Sequence, residues 1–270
     1  MTLDHRQLAF YRTFGFLRFP ALFADEVGEI TAAFERIWAA SGRVHDHRER
    51  SMLIPFADRD EYLCGLLDDP RIDGVVRSLL GPDYNYTGSD GNYYVGDTNW
   101  HSDHDLADPY HSLKIAFYLD PVDAGSGCLR VFPGSCHVGD AYADGLHRAV
   151  PLTLHARSDE FWGMDGGDLP GYAIASTPGD MLLFNHKTKH SSWGGGTERR
   201  MFTYNFEEHM AGPALPHLVE LLAGSVKRGG MVYAEPLLRT AGPARMRHLA
   251  QRIQVAREHG LDQPQRGDSR

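Results

Sequence analysis

The spacing of hydrophobic positions changes twice along the chain. Within residues 1–82, apolar side chains recur at helical spacing, as in DEVGEITAAFERIWAA and DPRIDGVVRSLLG, and the short apolar run GFLRFPALF interrupts them. Over residues 84–209, short runs rich in Val, Ile, Phe and Tyr are separated by Gly, Pro and Asp, which predicts antiparallel strands in a sandwich or barrel. Helical spacing returns over residues 213–262. The pattern therefore predicts one domain with a helical N-terminal part, a β core and a helical tail.

Composition narrows the classes of partner. The 270 residues carry a formal charge of −9, which argues against nucleic acid as a partner, because phosphate binding usually needs a basic face. Cys64, Cys128 and Cys136 show no CxxC spacing, so neither a disulfide framework nor a structural zinc cage is expected. No apolar stretch approaches the roughly 18 residues of a membrane span. We expect a cytoplasmic protein that binds a small molecule and no membrane.

The stretch NWHSDHDLADPYHS, residues 99–112, is dense in histidine and aspartate. On a strand, His101 and Asp103 point to the same side, so both can reach one ion. A His-x-Asp pair is expected by chance at this composition, and an iron site of two histidines and one carboxylate needs a second histidine from elsewhere. His186 and His190, in STPGDMLLFNHKTKHSS, both remain candidates on residue reasoning.

The later segment RRMFTYNF alternates as a strand should. Phe202, Tyr204 and Phe206 share a face with Arg200, and Arg199 lies on the opposite face. If helices cover the aromatic face, Arg199 points inward, where its planar guanidinium suits a carboxylate.

Four segments occur in a fixed order along the chain: WHSD, GSGCLRVFPGSCH, GDMLLF, and a distal HSS followed by RRMFTY. In this order they resemble the phytanoyl-CoA dioxygenase family of Fe(II)- and 2-oxoglutarate-dependent oxygenases. The segment QLAFYRTFGFLRFPALFADE is similar to the family's N-terminal helix and strand, so the resemblance covers most of the chain. It implies a mainly β fold: a double-stranded β-helix core of the jelly-roll, cupin-like kind with flanking N- and C-terminal helices.

The resemblance also assigns roles to individual residues. It implies that iron is bound by His101, Asp103 and His190. It implies that the distal carboxylate of 2-oxoglutarate is held by Arg199 and Ser192. Arg200 stays an alternative to Arg199, because the stretch after the second histidine is shorter than in the family.

Two further strand residues are candidates for 2-oxoglutarate binding. Lys114, in HSLKIAFYLD, would place a cation beside the cosubstrate or substrate, and the alternative is an edge lysine in solvent. Asn92 lies on the strand that would precede the ligand strand and is placed to hydrogen-bond a carboxylate.

The implied activity is oxidation of an unactivated C–H bond with Fe(II), 2-oxoglutarate and O₂, releasing succinate and CO₂. Asp103 favours hydroxylation over halogenation, because halogenating relatives have a small residue there. The expected substrate is a small metabolite or natural-product intermediate, under a lid formed by residues 137–175. The candidate substrate-binding residues are Trp100, His104, Trp162 and Trp193.

Two other classes of protein could use the same two histidines and aspartate to bind a metal ion. A non-catalytic metal-binding cupin-like protein needs only the two histidines and the aspartate, and an anchor for 2-oxoglutarate argues against it. A zinc-dependent hydrolase is possible with this ligand set, but the sequence contains no HExxH and no general-base glutamate beside the site.

Overall fold

The computed structural model describes residues 1–150, 160, 162–227 and 232–261. The helices are α1 His5–Phe14, α2 Val27–Ser41, α3 Glu61–Leu66, α4 Pro70–Leu80, α5 Ala141–Ala149, α6 Leu215–Lys227, α7 Glu235–Arg239 and α8 Pro243–Glu258. The strands are β1 Phe16–Phe19, β2 Ser51–Leu53, β3 Asn85–Tyr94, β4 Thr98–His101, β5 Ser112–Tyr118, β6 Leu129–Val131, β7 Tyr172–Ile174, β8 Met181–Asn185, β9 His190–Ser192 and β10 Arg199–Glu207.

The strands form two antiparallel sheets. The larger sheet has the order β1-β8-β5-β10-β3-β2, and the smaller has the order β4-β9-β6-β7. Apolar side chains from both sheets pack against one another between them, among them Val131 of β6, Phe184 of β8 and Met201 of β10. The mainly β architecture with an antiparallel core and flanking helices, expected from the sequence, is thereby confirmed.

The alternation along β10 separates two environments. Phe202, Tyr204 and Phe206 are fully buried in the apolar cluster that β10 shares with the covering helices. Arg199 and Met201 face the other way, into the space between the sheets, and line a cavity there. Because helices cover the aromatic face, the opposite face of the larger sheet lines the cavity between the sheets.

The N-terminal part is not purely helical. Strand β1 pairs with β8 at one edge of the larger sheet, and β2 pairs with β3 at the other edge. β1 has four residues and β2 has three, which is too short for a clear alternation of apolar and polar side chains. The hydrophobic pattern therefore does not predict β2, and it shows β1 only as an apolar run.

The predicted lid, residues 137–175, is described in part. Helix α5 and strand β7 lie within it, whereas residues 151–159 and 161 lie outside the described residues. Among the helices that the structure describes, none has both the length and the apolar character needed to cross a membrane.

Candidate active site

Two short strands of the smaller sheet bring three potential metal ligands together. His101 ends β4 and is paired in register with His190, which begins β9. Asp103 follows β4, and its backbone N–H donates to the carbonyl of His186 at 2.9 Å. One ligand atom from each of His101, Asp103 and His190 lies within 4.8 Å of the others. The three side chains therefore surround a space suited to a single ion.

Backbone carbonyls orient both imidazoles. Nδ1 of His101 is 2.7 Å from the carbonyl oxygen of Asn99, and Nδ1 of His190 is 2.9 Å from that of Thr188. A carbonyl only accepts, so each Nδ1 carries the proton and each Nε2 keeps a free lone pair. Burial, together with His190 nearby, lowers the pKa of His101 to about 3, and burial also lowers the pKa of His190. Both rings are neutral at physiological pH, as metal ligands must be.

The carboxylate of Asp103 is held in its charged form. Burial alone would raise its pKa, but Lys114 and His190 outweigh burial and hold the pKa of this carboxyl well below its usual range. The ammonium of Lys114 lies 2.8 Å from Oδ2 of Asp103. Two neutral imidazole nitrogens and one carboxylate are the donor set of a non-haem Fe(II) centre with open positions.

A buried arginine lies beside this group. Nη2 of Arg199 donates to the hydroxyl oxygen of Ser192 at 2.9 Å, and the guanidinium faces the ring of Tyr94. Its Nε and Nη1 atoms are buried without a hydrogen-bond partner among the described residues. Because a buried guanidinium without an anionic partner is costly, Arg199 fits an anionic ligand such as the distal carboxylate of 2-oxoglutarate.

Two glycines make room for that guanidinium. A Cβ atom on Gly127, whose φ is +87°, or on Gly195 would collide with Nη1 of Arg199. Both glycines belong to Gly-rich loops of the sequence, GSG and GGG, so the space around Arg199 is built by two separate segments. Arg200, in contrast, is bound to Asp120 and Glu35 at 2.7 and 2.8 Å on the helix-covered side.

A cavity of about 340 Å³ connects the metal-ligand group to Arg199. It lies between the sheets, and it is lined by polar and apolar side chains from both. They are Arg50, Met52, Ile54, Asp90, Tyr94, Thr98, His101, Ser102, Asp103, Lys114, Tyr118, Leu129, Phe184, His190, Ser191, Ser192, Arg199, Met201 and Thr203.

The remaining histidines close to Asp103 face a neighbouring cavity. Nε2 of His186 lies 3.1 Å from Oδ1 of Asn205, and its ring is tilted by 38° against that of His104 with centroids 4.6 Å apart. Nδ1 of His104 is 3.0 Å from the hydroxyl oxygen of Ser112. His104 and His186 line this cavity of about 260 Å³. His186 is therefore held by a side-chain amide rather than grouped with His101.

The tryptophans proposed as substrate contacts lie elsewhere. Trp100 is 1% exposed, stacks on Phe132 and donates from Nε1 to the carbonyl of Gly166. Trp162 is exposed, and Trp193 donates to the hydroxyl of Ser191. None of the three tryptophans lines the cavity that holds His101. Trp100 packs beneath the lid segment.

Two charged cavity residues were missed by sequence reasoning. Arg50 precedes β2 in an irregular segment, where no periodicity marks it. Asp90 lies on β3, two positions before Asn92, and so on the same strand that the sequence analysis placed before the ligand strand. Asn92 itself does not line the cavity; it hydrogen-bonds both of these residues.

Comparison with known sequences gives two matches. The sequence model of the family described as phytanoyl-CoA dioxygenase (PhyH) matches residues 11–201. L-proline trans-4-hydroxylase of Streptomyces griseoviridis is 27% identical over 173 residues, which are 55% of this chain and 64% of that protein. The chain thus matches somewhat less than two thirds of that relative's length.

Solved structures share the fold. HygX from Streptomyces hygroscopicus, with nickel and 2-oxoglutarate bound, has a TM-score of 0.59 and 16% identity, covering 78% of this chain and 89% of its own. EctD from S. alaskensis, with 2-oxoglutarate and 5-hydroxyectoine, has a TM-score of 0.57 and 21% identity, covering 76% of each chain. At these identities the likeness establishes a common fold.

Proposed function

Since this chain belongs to the phytanoyl-CoA dioxygenase family, we propose that it is a non-haem Fe(II)- and 2-oxoglutarate-dependent oxygenase. It oxidises an unactivated C–H bond of a small metabolite or natural-product intermediate, as a hydroxylase, and releases succinate and CO₂. The observation that carries the proposal is one cavity that holds both a His-Asp-His group and a buried guanidinium whose Nε and Nη1 have no hydrogen-bond partner among the described residues.

In this proposal His101, Asp103 and His190 hold the iron. The iron and 2-oxoglutarate supply the oxidising chemistry with O₂, and the protein supplies position and exclusion of water. The carbonyls that bind Nδ1 of each histidine leave both Nε2 lone pairs available to the iron. Lys114 keeps Asp103 ionised by pairing with Oδ2, a role next to the metal ligand rather than on 2-oxoglutarate.

Arg199 and Ser192 anchor the cosubstrate. Ser192 is two residues after His190 on β9, so a dicarboxylate bound at Arg199 extends along β9 toward the metal ligands. Tyr94, Phe184 and Met201 line the wall around it and limit access of water. The name of the Streptomyces relative, a proline hydroxylase, supports a small-molecule substrate.

The decisive experiment compares His190→Gln with His186→Gln in protein reconstituted with Fe(II) and 2-oxoglutarate without oxygen. We expect wild type and His186→Gln to show the weak visible charge-transfer band of the Fe(II)·2-oxoglutarate complex, and His190→Gln to lack it. His186 is the matched control because it lies four residues away and hydrogen-bonds Asn205. When O₂ is admitted, wild type and His186→Gln should form succinate, and His190→Gln should not.

Two results would contradict the proposal. Activity supported by Zn(II) without succinate would favour a hydrolase. Metal binding without a 2-oxoglutarate-dependent band, in wild type as in the variants, would favour a non-catalytic metal-binding protein.

A further inference from the structure

One amide holds a cation and an anion at the mouth of the cavity. Asn92 is fully buried; its Oδ1 accepts from Nε of Arg50 at 2.9 Å, and its Nδ2 donates to Oδ2 of Asp90 at 2.6 Å. Arg50 is exposed and Asp90 is half-buried, and both line the cavity. We call Arg50, Asn92 and Asp90 the mouth array.

Neither charged side chain of the mouth array forms an ion pair within the part of the chain that the structure describes. There Asp90 accepts hydrogen bonds from neutral groups, the Asn92 amide and the hydroxyl of Thr203, and Lys114, which pairs with Asp103, acts on Asp90 only at longer range. Besides its bond to Asn92, Arg50 contacts the sulfur of Met52 and lies over the ring of Tyr94, at 3.3 and 4.3 Å. The two residues flank the amide instead of pairing with each other, so one positive and one negative group remain available to a ligand.

The other charges in the cavity are already accounted for. Lys114 is paired with Asp103, and Arg199 serves the distal carboxylate of 2-oxoglutarate in the proposed function. A ligand with only a negative charge would satisfy Arg50 and leave Asp90 facing a like charge. A ligand with only a positive charge would do the reverse.

Apolar surface lies beside the mouth array. Met52 and Ile54 line the same cavity and are 39% and 59% exposed. Exposed apolar side chains next to opposite charges suit a ligand that carries a short hydrocarbon part beside its charged groups.

We propose that the mouth array selects a small zwitterion, of the amino-acid or imino-acid class, with its carboxylate on Arg50 and its cationic nitrogen on Asp90. The guanidinium provides a planar fork for the carboxylate, and the carboxylate of Asp90 accepts from the ammonium. This inference rests on the proposed function, since it names the substrate class of the same site.

The test is calorimetric titration of protein loaded with Ni(II) and 2-oxoglutarate, a state that does not turn over. The probes are L-proline, L-pipecolate and L-valine, each compared with its amide, which lacks the carboxylate, and its N-acetyl form, which lacks the cationic nitrogen. We expect at least one parent zwitterion to bind at least about tenfold more tightly than both of its singly charged analogues, because each analogue loses a charge-assisted contact.

The variants assign the two charges. Arg50→Gln should remove the preference over the amide, and Asp90→Asn should remove the preference over the N-acetyl form. Arg12→Gln, an exposed arginine of α1, is the matched control and should leave both preferences unchanged. Binding of 2-oxoglutarate should be unaffected by Arg50→Gln and Asp90→Asn.

Three outcomes would overturn the inference. They are the absence of binding by every zwitterion of the panel, equal binding of zwitterions and singly charged analogues, and loss of 2-oxoglutarate binding in Arg50→Gln, which would assign Arg50 to the cosubstrate. Failure of wild type to bind 2-oxoglutarate at all would instead refute the proposed function, so the two failures are distinguishable.

Discussion

Adjacent residues of β10 have opposite surroundings. Arg199 points between the sheets, where Ser192 is its side-chain hydrogen-bond partner among the described residues. Arg200 points to the helix side and is neutralised by Asp120 and Glu35. Because a buried cation needs an anion, the surroundings of Arg199 favour an anionic ligand, whereas those of Arg200 are already complete.

Substitution of Arg199 should therefore lower the affinity for 2-oxoglutarate, whereas substitution of Arg200 should lower only the stability of the fold. Arg199→Gln should weaken 2-oxoglutarate binding about 100-fold, since two charge-assisted hydrogen bonds of about 1.5 kcal/mol each are lost. Arg200→Gln should leave that affinity within about twofold and lower the free energy of unfolding by about 0–1 kcal/mol, as for a surface ion pair. Calorimetric titration of the Ni(II)-loaded variants with 2-oxoglutarate measures the first, and urea unfolding measures the second. Equal affinities in the two variants would refute the assignment of Arg199.

Alternation predicted the direction of Arg199 because strand periodicity is a local property of the sequence. The bond between Arg50 and Asn92 joins residues 42 positions apart, one of them in an irregular segment, so no local pattern reveals it. The burial of Trp100 depends on the lid segment that carries Gly166, which again is a tertiary contact. The sequence could predict which face of a strand a residue lies on, but it could not predict which distant residues that side chain contacts.

At the scale of elements, one carboxylate joins β1 and the chain that follows it to the start of β8, the neighbouring strand of the larger sheet. Asp180 precedes β8, and its oxygens accept from the backbone N–H groups of Ala21 and Thr177 at 2.7 and 3.1 Å. Nε and Nη2 of Arg18, on β1, also donate to it. Burial alone would raise its pKa, but these donors outweigh burial and lower the pKa of Asp180 from the usual 3.8.

Replacing this acceptor should destabilise the edge of the sheet in a pH-dependent way. Asp180→Asn places an NH₂ group against N–H donors, so at pH 7 the free energy of unfolding should fall by about 1–3 kcal/mol. A carboxyl with a lowered folded-state pKa stabilises above its unfolded pKa and loses this contribution as the pH falls through its folded value. The difference between wild type and variant should therefore be constant above roughly pH 5 and shrink below about pH 4.

Urea unfolding at several pH values measures this difference. Asp25→Asn, an exposed aspartate before α2, is the control and should show little change at any pH. A wild-type advantage that grows on acidification would contradict the assignment, because it would require a raised pKa for Asp180.

Strand length decided which elements the sequence could predict. The nine residues of β10 are enough to show alternating aromatic side chains, while β2 has three residues and takes its pairing from β3. Short edge strands are defined by the neighbour that they hydrogen-bond, not by their own pattern.

For the whole molecule, the order of the sequence motifs predicted the family better than the amino-acid composition did. The family resemblance, carried by segments from WHSD to RRMFTY, is confirmed by the family match over residues 11–201. The C-terminal helices lie beyond that match, and their helical spacing predicted their existence but not where they pack. The structure shows that α8 contacts the larger sheet at β3 and is joined to the end of β10 by a buried ion pair.

This ion pair should decide whether the C-terminal helix stays attached. Arg252 of α8 donates to Glu207 of β10 at 2.7 Å, and both side chains are buried. Burial raises the pKa of the Glu207 carboxyl, and the guanidinium opposes that effect. Glu207→Gln leaves a buried cation without its anion, so the free energy of unfolding should fall by about 3–5 kcal/mol.

The double variant Glu207→Leu with Arg252→Met should recover much of this loss, since no buried charge remains. Glu258→Gln, on the exposed side of α8, serves as control in the same urea titrations, and a double variant no more stable than Glu207→Gln would show that the pair does not act through its charges.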